Sequence, residues 1–241
     1  MERIDGRRPE EMRPLRFTTG FIPHAEGSAL IELGRTRVIC TVTIEEGVPP
    51  FFKGSGRGWL TAEYSMLPRA TPERSKREAV AGRQTGRTME IQRFIGRSLR
   101  AVTDLNAFGE RTFRLDCDVI EADGGTRTAA LNGAYVALRE AFRAMVEAGE
   151  LPASPHRGSL AAISAGIIDG VPCIDLCFEE DFRAEVDMNL VADGSGSIVE
   201  IQATGESGPL SRENLDTLLD MGLRGTDEII RCQEAVLAAL D

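Results

Sequence analysis

Residues 121–133 read EADGGTRTAALNG, a pair of glycines, a threonine and an arginine set between an alternating apolar stretch and a long helix-forming one. The chemistry this pattern suits is anion binding. A helix start offers unpaired N–H groups and the positive end of a dipole, glycine lets a ligand approach the backbone, and the Arg127 guanidinium is a planar fork of donors for phosphate. The same stretch fits an ordinary cap, with Asp123 or Thr126 satisfying the first turn and Arg127 in solvent. A second candidate lies further on, where Asp181 and Asp187, with Asn189, offer the hard oxygen ligands that Mg²⁺ accepts alongside water. A divalent ion there would shield phosphate oxygens and stabilise a leaving oxyanion; alternatively, one carboxylate donates a proton to that oxygen. Solvated acids at strand ends read the same way, and Asp116 with Asp118 makes a similar pair. The third candidate is cationic. Arg69, Arg74, Lys76 and Arg77 crowd one segment near Trp59 and Tyr64, rings able to stack on bases, and Arg87 opens the helix that follows.

Other chemistries lack their residues. Only two histidines occur, His24 and His156, each near a proline in an expected loop, so a histidine triad or a paired-histidine nuclease has no oriented base. Neither a P-loop nor a G-x-G-x-x-G fingerprint is present, and nothing resembles an activated serine or cysteine nucleophile. An enzyme built this way takes its nucleophile from the substrate side. The five cysteines have no knuckle spacing and read as buried reduced thiols. The net charge of −10 is unevenly spread: residues 51–100 hold eleven Lys and Arg against four Asp and Glu, whereas residues 171–241 hold four against sixteen. That asymmetry suits one basic surface on an acidic body. No apolar run reaches the ~18 residues of a membrane span, and the charged start MERIDGRRPEEMRP lacks the core of a signal peptide, so a cytoplasmic protein is expected.

The elements that must position these groups are legible in outline. Residues 28–44 read as a hairpin turning at Gly34-Arg35, and WLTAEYSML reads as another strand. Residues 69–84 read as an arginine-rich loop. From Thr85 to Val102 the spacing of Ile91, Phe94, Ile95 and Val102 predicts a helix. TFRLDCDVI alternates as a strand, and Leu131, Tyr135, Leu138, Phe142 and Val146 make the stripe of an amphipathic helix. LPASPHR, residues 151–157, marks an internal boundary. Beyond it come two strands around Asp169-Gly170, a polar segment EEDFRAE, the strands VDMNLVADG and SIVEIQATG, and a helix over residues 211–240. The likeness of DCDVIEADGG to DMNLVADGSG hints at two related halves. The class is α+β, one domain over residues 1–241 with mixed sheets, an N-terminal half of about 10–150 and a C-terminal half of about 157–241.

Taken together, RIDGR (3–7), GWLTAEYSMLPRAT (58–71), GRTMEIQRFIGRSLRAV (86–102), DCDVIEADGGTRTAALNGAYVAL (116–138) and DLCFEEDFRAEVDMNLV (175–191) closely resemble the ribonuclease PH family. The resemblance implies two related β-α halves and a phosphate-dependent 3′→5′ exoribonuclease that is also a nucleotidyltransferase. It implies inorganic phosphate at Arg87, Gly125, Thr126 and Arg127, metal-assisted chemistry at Asp181 and Asp187 with Mg²⁺ or Mn²⁺, and RNA contacts from Arg69, Arg74 and Arg77. It further implies tRNA and other RNA 3′ ends as substrates, nucleoside diphosphates as products, and a homohexamer built as a trimer of dimers. Two other readings compete: a catalytically silent RNA-binding ring subunit, and a hydrolytic nuclease releasing monophosphates.

Overall fold

In the computed structural model, which describes residues 3–240, two sheets lie on either side of one helix. The first sheet holds β1 (Leu15–Thr19), β2 (Gly27–Leu33), β3 (Thr36–Glu46), β4 (Trp59–Met66) and β5 (Arg111–Glu121), in the order β1-β2-β3-β5-β4. The β2–β3 hairpin turns at Gly34 and Arg35 as the sequence predicts. β4 runs parallel to β5, which makes this sheet mixed, and the reversal needs a long crossover. That crossover carries the basic segment and α2 (Gly86–Ala101). Residues 69–84 are loop except for one turn, α1 (Glu78–Ala81), whose Glu78 Oε1 accepts from Thr85 N and Thr88 Oγ1 at the start of α2.

The second sheet holds β6 (Leu160–Ile168), β7 (Val171–Ile174), β8 (Val186–Asp193) and β9 (Ile198–Gly205), antiparallel throughout in the order β7-β6-β8-β9. Asp169 and Gly170, at φ 50° and 75°, make the expected hairpin turn between β6 and β7. Most of the polar segment EEDFRAE, residues 179–185, lies in a short helix, α4 (Phe178–Arg183). The turn of DMNLVADGSG closes the β8–β9 hairpin, where Asp193 Oδ1 accepts from the N–H groups of Ser195 and Ser197; its likeness to the β5 turn ends there. The last helix, α5 (Arg212–Ala238), packs on β6, β7 and β8 and also reaches β1.

The central helix is α3 (Thr126–Glu147), which touches β2, β3 and β5 on one side and β6 on the other. It is buried nearly all round, so the one-sided stripe predicted for it is incomplete: Ala129, Ala130, Ala134, Val136 and Ala137 are as hidden as Leu131 and Phe142. A helix buried on nearly every face belongs between two layers. Its small residues allow that. A Cβ on Gly133 would stand 2.7 Å from Cys40 Sγ and 2.9 Å from Ile31 Cγ2. One continuous core therefore joins both sheets through α3. All five thiols are unpaired, with Cys232 partly exposed and the other four buried. No helix among the described residues is long and apolar enough to cross a membrane.

Candidate active site

Strand β5 delivers the chain to Gly124 and Gly125, both left-handed at φ 78° and 66°, and α3 begins at Thr126. Gly124 is required on a second ground, since a Cβ there would fall 2.4 Å from Leu176 O and 2.8 Å from Phe178 N. Neither residue expected to cap the helix does so. Gly125 stands at the cap position without a side chain, and Thr126 Oγ1 instead accepts from Tyr64 Oη at 2.9 Å. Asp123 holds a different turn, its Oδ1 accepting from Phe178 N at 3.5 Å. The first-turn N–H groups of α3 thus have no side-chain acceptor and no acidic neighbour in that turn. This is the arrangement an anion uses. Tyr64, buried and committed to Thr126, cannot stack on a base. Trp59 is covered as well, by Phe51, Phe52 and the Arg100 guanidinium 4.6 Å above its ring.

Two arginines flank the turn. Arg127 is mostly buried, and its Nη1 donates to Gln202 Oε1 at 2.6 Å and to Glu90 Oε1 at 3.3 Å. Gln202 Nε2 donates to the same Glu90 oxygen at 2.9 Å, so the guanidinium is held from two elements, α2 and β9. Arg87, in the first turn of α2, is exposed, and its side chain makes no hydrogen bond or ion pair among the described residues. Two carboxylates complete the set, Asp181 from α4 and Asp187 from β8. Burial and the charge of Asp181 push the Asp187 carboxyl up to about 6, while Arg127 and Arg87 pull it down. The surrounding protein also raises Asp181, despite its exposed surface, against the same two arginines. Four groups from α2, α3, α4 and β8 therefore act on one another at one place.

The carboxylate pair suits a cation. The charge of Asp181 raises the proton affinity of Asp187 in partly desolvated surroundings, and a divalent ion would relieve that repulsion. Among the described residues no group of three or more His, Cys, Asp or Glu could hold a metal ion by itself, so such an ion would take water and substrate oxygens for its remaining positions. Asn189 Nδ2 lies 3.4 Å from Asp187 Oδ1 and belongs to the same site.

Residues not singled out by type or spacing do the positioning. Arg3 donates to Glu180 through Nε at 2.8 Å and Nη2 at 2.6 Å, both side chains wholly buried, and Glu180 also accepts from Cys177 N at 3.0 Å. Arg13 grips Asp175 through Nε at 2.9 Å and Nη2 at 2.7 Å, and Nη1 donates to the carbonyl of Asp123. The N-terminal segment thereby clamps the glycine turn to the entry of α4. Arg3 holds Glu180 well below the usual carboxylate range, at about 2 against 4.5. Because its folded value is depressed, the stabilisation is complete above pH 4.5 and is lost as pH falls towards 2, about 3 kcal/mol in all. Denaturant titrations of Glu180→Gln should show a chain weakened at pH 7, with a flatter loss of stability between those pH values than the parent. A parallel acid dependence in the variant would rule out Glu180 as its source.

Arg69, Arg74 and Arg77 are exposed on the loop between β4 and α2. Beneath it lies a cavity of about 870 Å³ lined by Tyr64, Arg77, Arg87, Thr88, Asp116 and Asp118. Asp116 and Asp118 are both raised by burial, and Arg77 pulls Asp118 down. The basic loop thus adjoins the side of the site that Arg87 occupies. His24 is exposed, and His156 is half-buried against Ser154 Oγ, 2.8 Å from Nδ1.

Models for the first and second domains of the 3′ exoribonuclease family match residues 11–143 and 158–225. The chain belongs to the 3′ exoribonuclease family. It is 54% identical over 235 residues to the Ribonuclease PH of Corynebacterium efficiens, covering 98% of this chain and 96% of that one. Against the Ribonuclease PH of Moorella thermoacetica it is 54% identical over 237 residues, covering 98% and 95%. Among solved structures it resembles rice (Oryza sativa) Rrp46, with a TM-score of 0.79, 21% identity and coverage of 98% and 100%, a likeness of fold. It also resembles a chain of the Archaeoglobus fulgidus exosome with RNA bound to the active site, with a TM-score of 0.80, 25% identity and coverage of 95% and 91%. In this 3′ exoribonuclease family chain, Arg87, Gly125, Thr126, Arg127, Asp181 and Asp187 meet at one locus, and the basic loop stands beside it.

Proposed function

We propose that the protein is a phosphorolytic 3′→5′ exoribonuclease and tRNA nucleotidyltransferase. The observation that carries this reading is the uncapped, glycine-lined start of α3 between Arg127 and the unpaired Arg87, opposite Asp181 and Asp187. Inorganic phosphate binds to Arg87, Arg127, Thr126 and the N–H groups of the Gly125 turn. Its oxygen attacks the last phosphodiester of the RNA, a new P–O–P bond forms, and the bond to the 3′ oxygen of the preceding nucleotide breaks. Hydrogen phosphate brings the proton which that oxygen takes up, so no histidine is needed. The products are a nucleoside diphosphate and an RNA one nucleotide shorter. A phosphoanhydride replaces a phosphodiester, which makes the step reversible and lets diphosphates extend RNA. Asp181 and Asp187 hold a Mg²⁺ or Mn²⁺ ion, which when bound supplies charge neutralisation at the reacting phosphate. Placement and fixed charge carry the rate, as in other phosphoryl transfers.

The RNAs in this reading are tRNA precursors and other transcripts, including rRNA, in the cytoplasm, and the working assembly is a homohexamer, a trimer of dimers. A silent RNA-binding subunit would not need the glycine turn, two arginines and two aspartates kept together. The deciding experiment incubates purified protein, Mg²⁺ and a 3′-tailed tRNA with and without phosphate and identifies the nucleotide released. Diphosphate only in the presence of phosphate supports the proposal; monophosphate released without phosphate assigns a hydrolytic nuclease.

Arg69, Arg74 and Arg77 take the RNA backbone. If about four to six cations touch single-stranded phosphates, affinity should fall against log salt with a slope of roughly −3 to −4. Replacing Arg74 and Arg77 by alanine should weaken tRNA binding and flatten that slope by more than one. An unchanged slope in filter binding would exclude the loop from the RNA path.

A further inference from the structure

α4 buries one face and leaves the other bare. Glu180 is locked inside by Arg3, while Phe178, Asp181 and Phe182, three and four positions apart, share a face turned outward. The two rings are 53% and 82% exposed. Their centroids lie 6.5 Å apart at an interplanar angle of 31°, so they form one broken apolar surface beside the carboxylate. Phe178 also abuts the glycine turn, because its backbone N occupies the space where a Cβ on Gly124 would fall and donates to Asp123 Oδ1. The helix that carries the rings therefore joins the turn that starts α3 to Asp181. Every other group drawn into the site is charged or polar. A nucleotide whose phosphate reaches Arg127 and whose sugar oxygen reaches Asp181 still has a flat apolar base to place, and these rings stand on the helix that carries Asp181 and adjoins the glycine turn.

We propose that Phe178 and Phe182 are the stacking platform for the base of the 3′-terminal nucleotide, the one that leaves as diphosphate. The proposal rests on the phosphorolytic reading above. Ring stacking tolerates any base because each has a π-face, which suits an enzyme that removes whichever nucleotide stands last. Purines overlap the rings more than pyrimidines do, so the platform grades bases without selecting one. A second copy of the chain is the other occupant that would cover exposed rings. Covering both rings would also seal Asp181, which shares their face, away from substrate.

The test uses the full chain extending a short RNA with ADP or UDP. Phe182→Ala should raise the KM for ADP about tenfold, equivalent to ~1.4 kcal/mol of lost stacking. The KM for UDP should rise less, kcat should stay nearly unchanged, and sedimentation velocity should give the parent's size. Phe182→Trp should restore the KM and Phe182→Leu should not, which separates a π-face from mere apolar bulk. Leucine rescuing as fully as tryptophan, or a changed sedimentation coefficient, would assign the face to another copy. An unaltered KM in the Phe178→Ala/Phe182→Ala double variant would mean the rings touch no base. Calorimetric binding of ADP makes the same comparison without turnover. A parent chain that binds ADP through the rings yet releases no diphosphate would keep the platform and sink the phosphorolytic reading.

Discussion

Arg127→Ala should lower phosphate-dependent release of nucleoside diphosphate by roughly 10²–10³-fold, the ~3–4 kcal/mol commonly lost when a donor to transition-state charge is removed. The loss should be large because Arg127 is pre-set. Gln202 and Glu90 hold its guanidinium at the turn before any ligand arrives, so little ordering remains to be done when phosphate binds. Arg127→Lys should recover only part of the rate, since a lysine supplies the charge without the fork of parallel donors. Steady-state assays across a phosphate series at saturating RNA distinguish the components: KM for phosphate should rise and kcat should fall. RNA affinity should hold, because the basic loop is untouched. Full phosphate-dependent turnover in the alanine variant would disprove the anion clamp.

How much of this was visible in the sequence depends on how local each cause is. The turns at Gly34 and Gly170 were readable because positive φ and glycine are properties of two adjacent residues. The alternation of β5 was readable because one face of that strand packs on α3 and the other does not. The burial of α3 on all sides was not. Its second buried face is made by β6, which begins only after the helix has ended, so no window within the helix contains the cause. α4 was hidden for the same reason. Six mostly charged residues carry almost no helical signal of their own, and what fixes them is Glu180 paired with Arg3, 177 positions away. Likewise Tyr64 looked available for stacking until its partner Thr126, 62 positions on, closed the question. Arg127, Asp181 and Asp187 could be picked out by type, but residue chemistry alone ranked them no higher than Asp116 and Asp118. Only the long ordered resemblance named them together. Their meeting place depends on the Arg13–Asp175 and Arg3–Glu180 pairs, which look like ordinary surface charges in a linear reading.

Asp187→Asn should separate chemistry from folding more sharply than any other change at the site. The Asp187 carboxyl is raised from 3.8 to about 6 because burial and Asp181 both disfavour its charge. A folded value above the unfolded one means the ionised group costs stability: nothing below pH 3.8, growing through pH 6, and complete above it, at most about 3 kcal/mol. The neutral, isosteric amide removes that cost. In chelator-containing buffer at pH 8 the variant should therefore melt higher than the parent, and the two should converge towards pH 4. Added Mg²⁺ should reverse the order, because a cation held by both aspartates stabilises only the chain that keeps the pair. Turnover with phosphate and RNA should fall by orders of magnitude while RNA affinity is retained, the trade between stability and activity expected where like charges are held together for function. A variant that melts lower in chelator and loses binding and rate together would place Asp187 in the fold's support, and the cation would then have to be sought elsewhere.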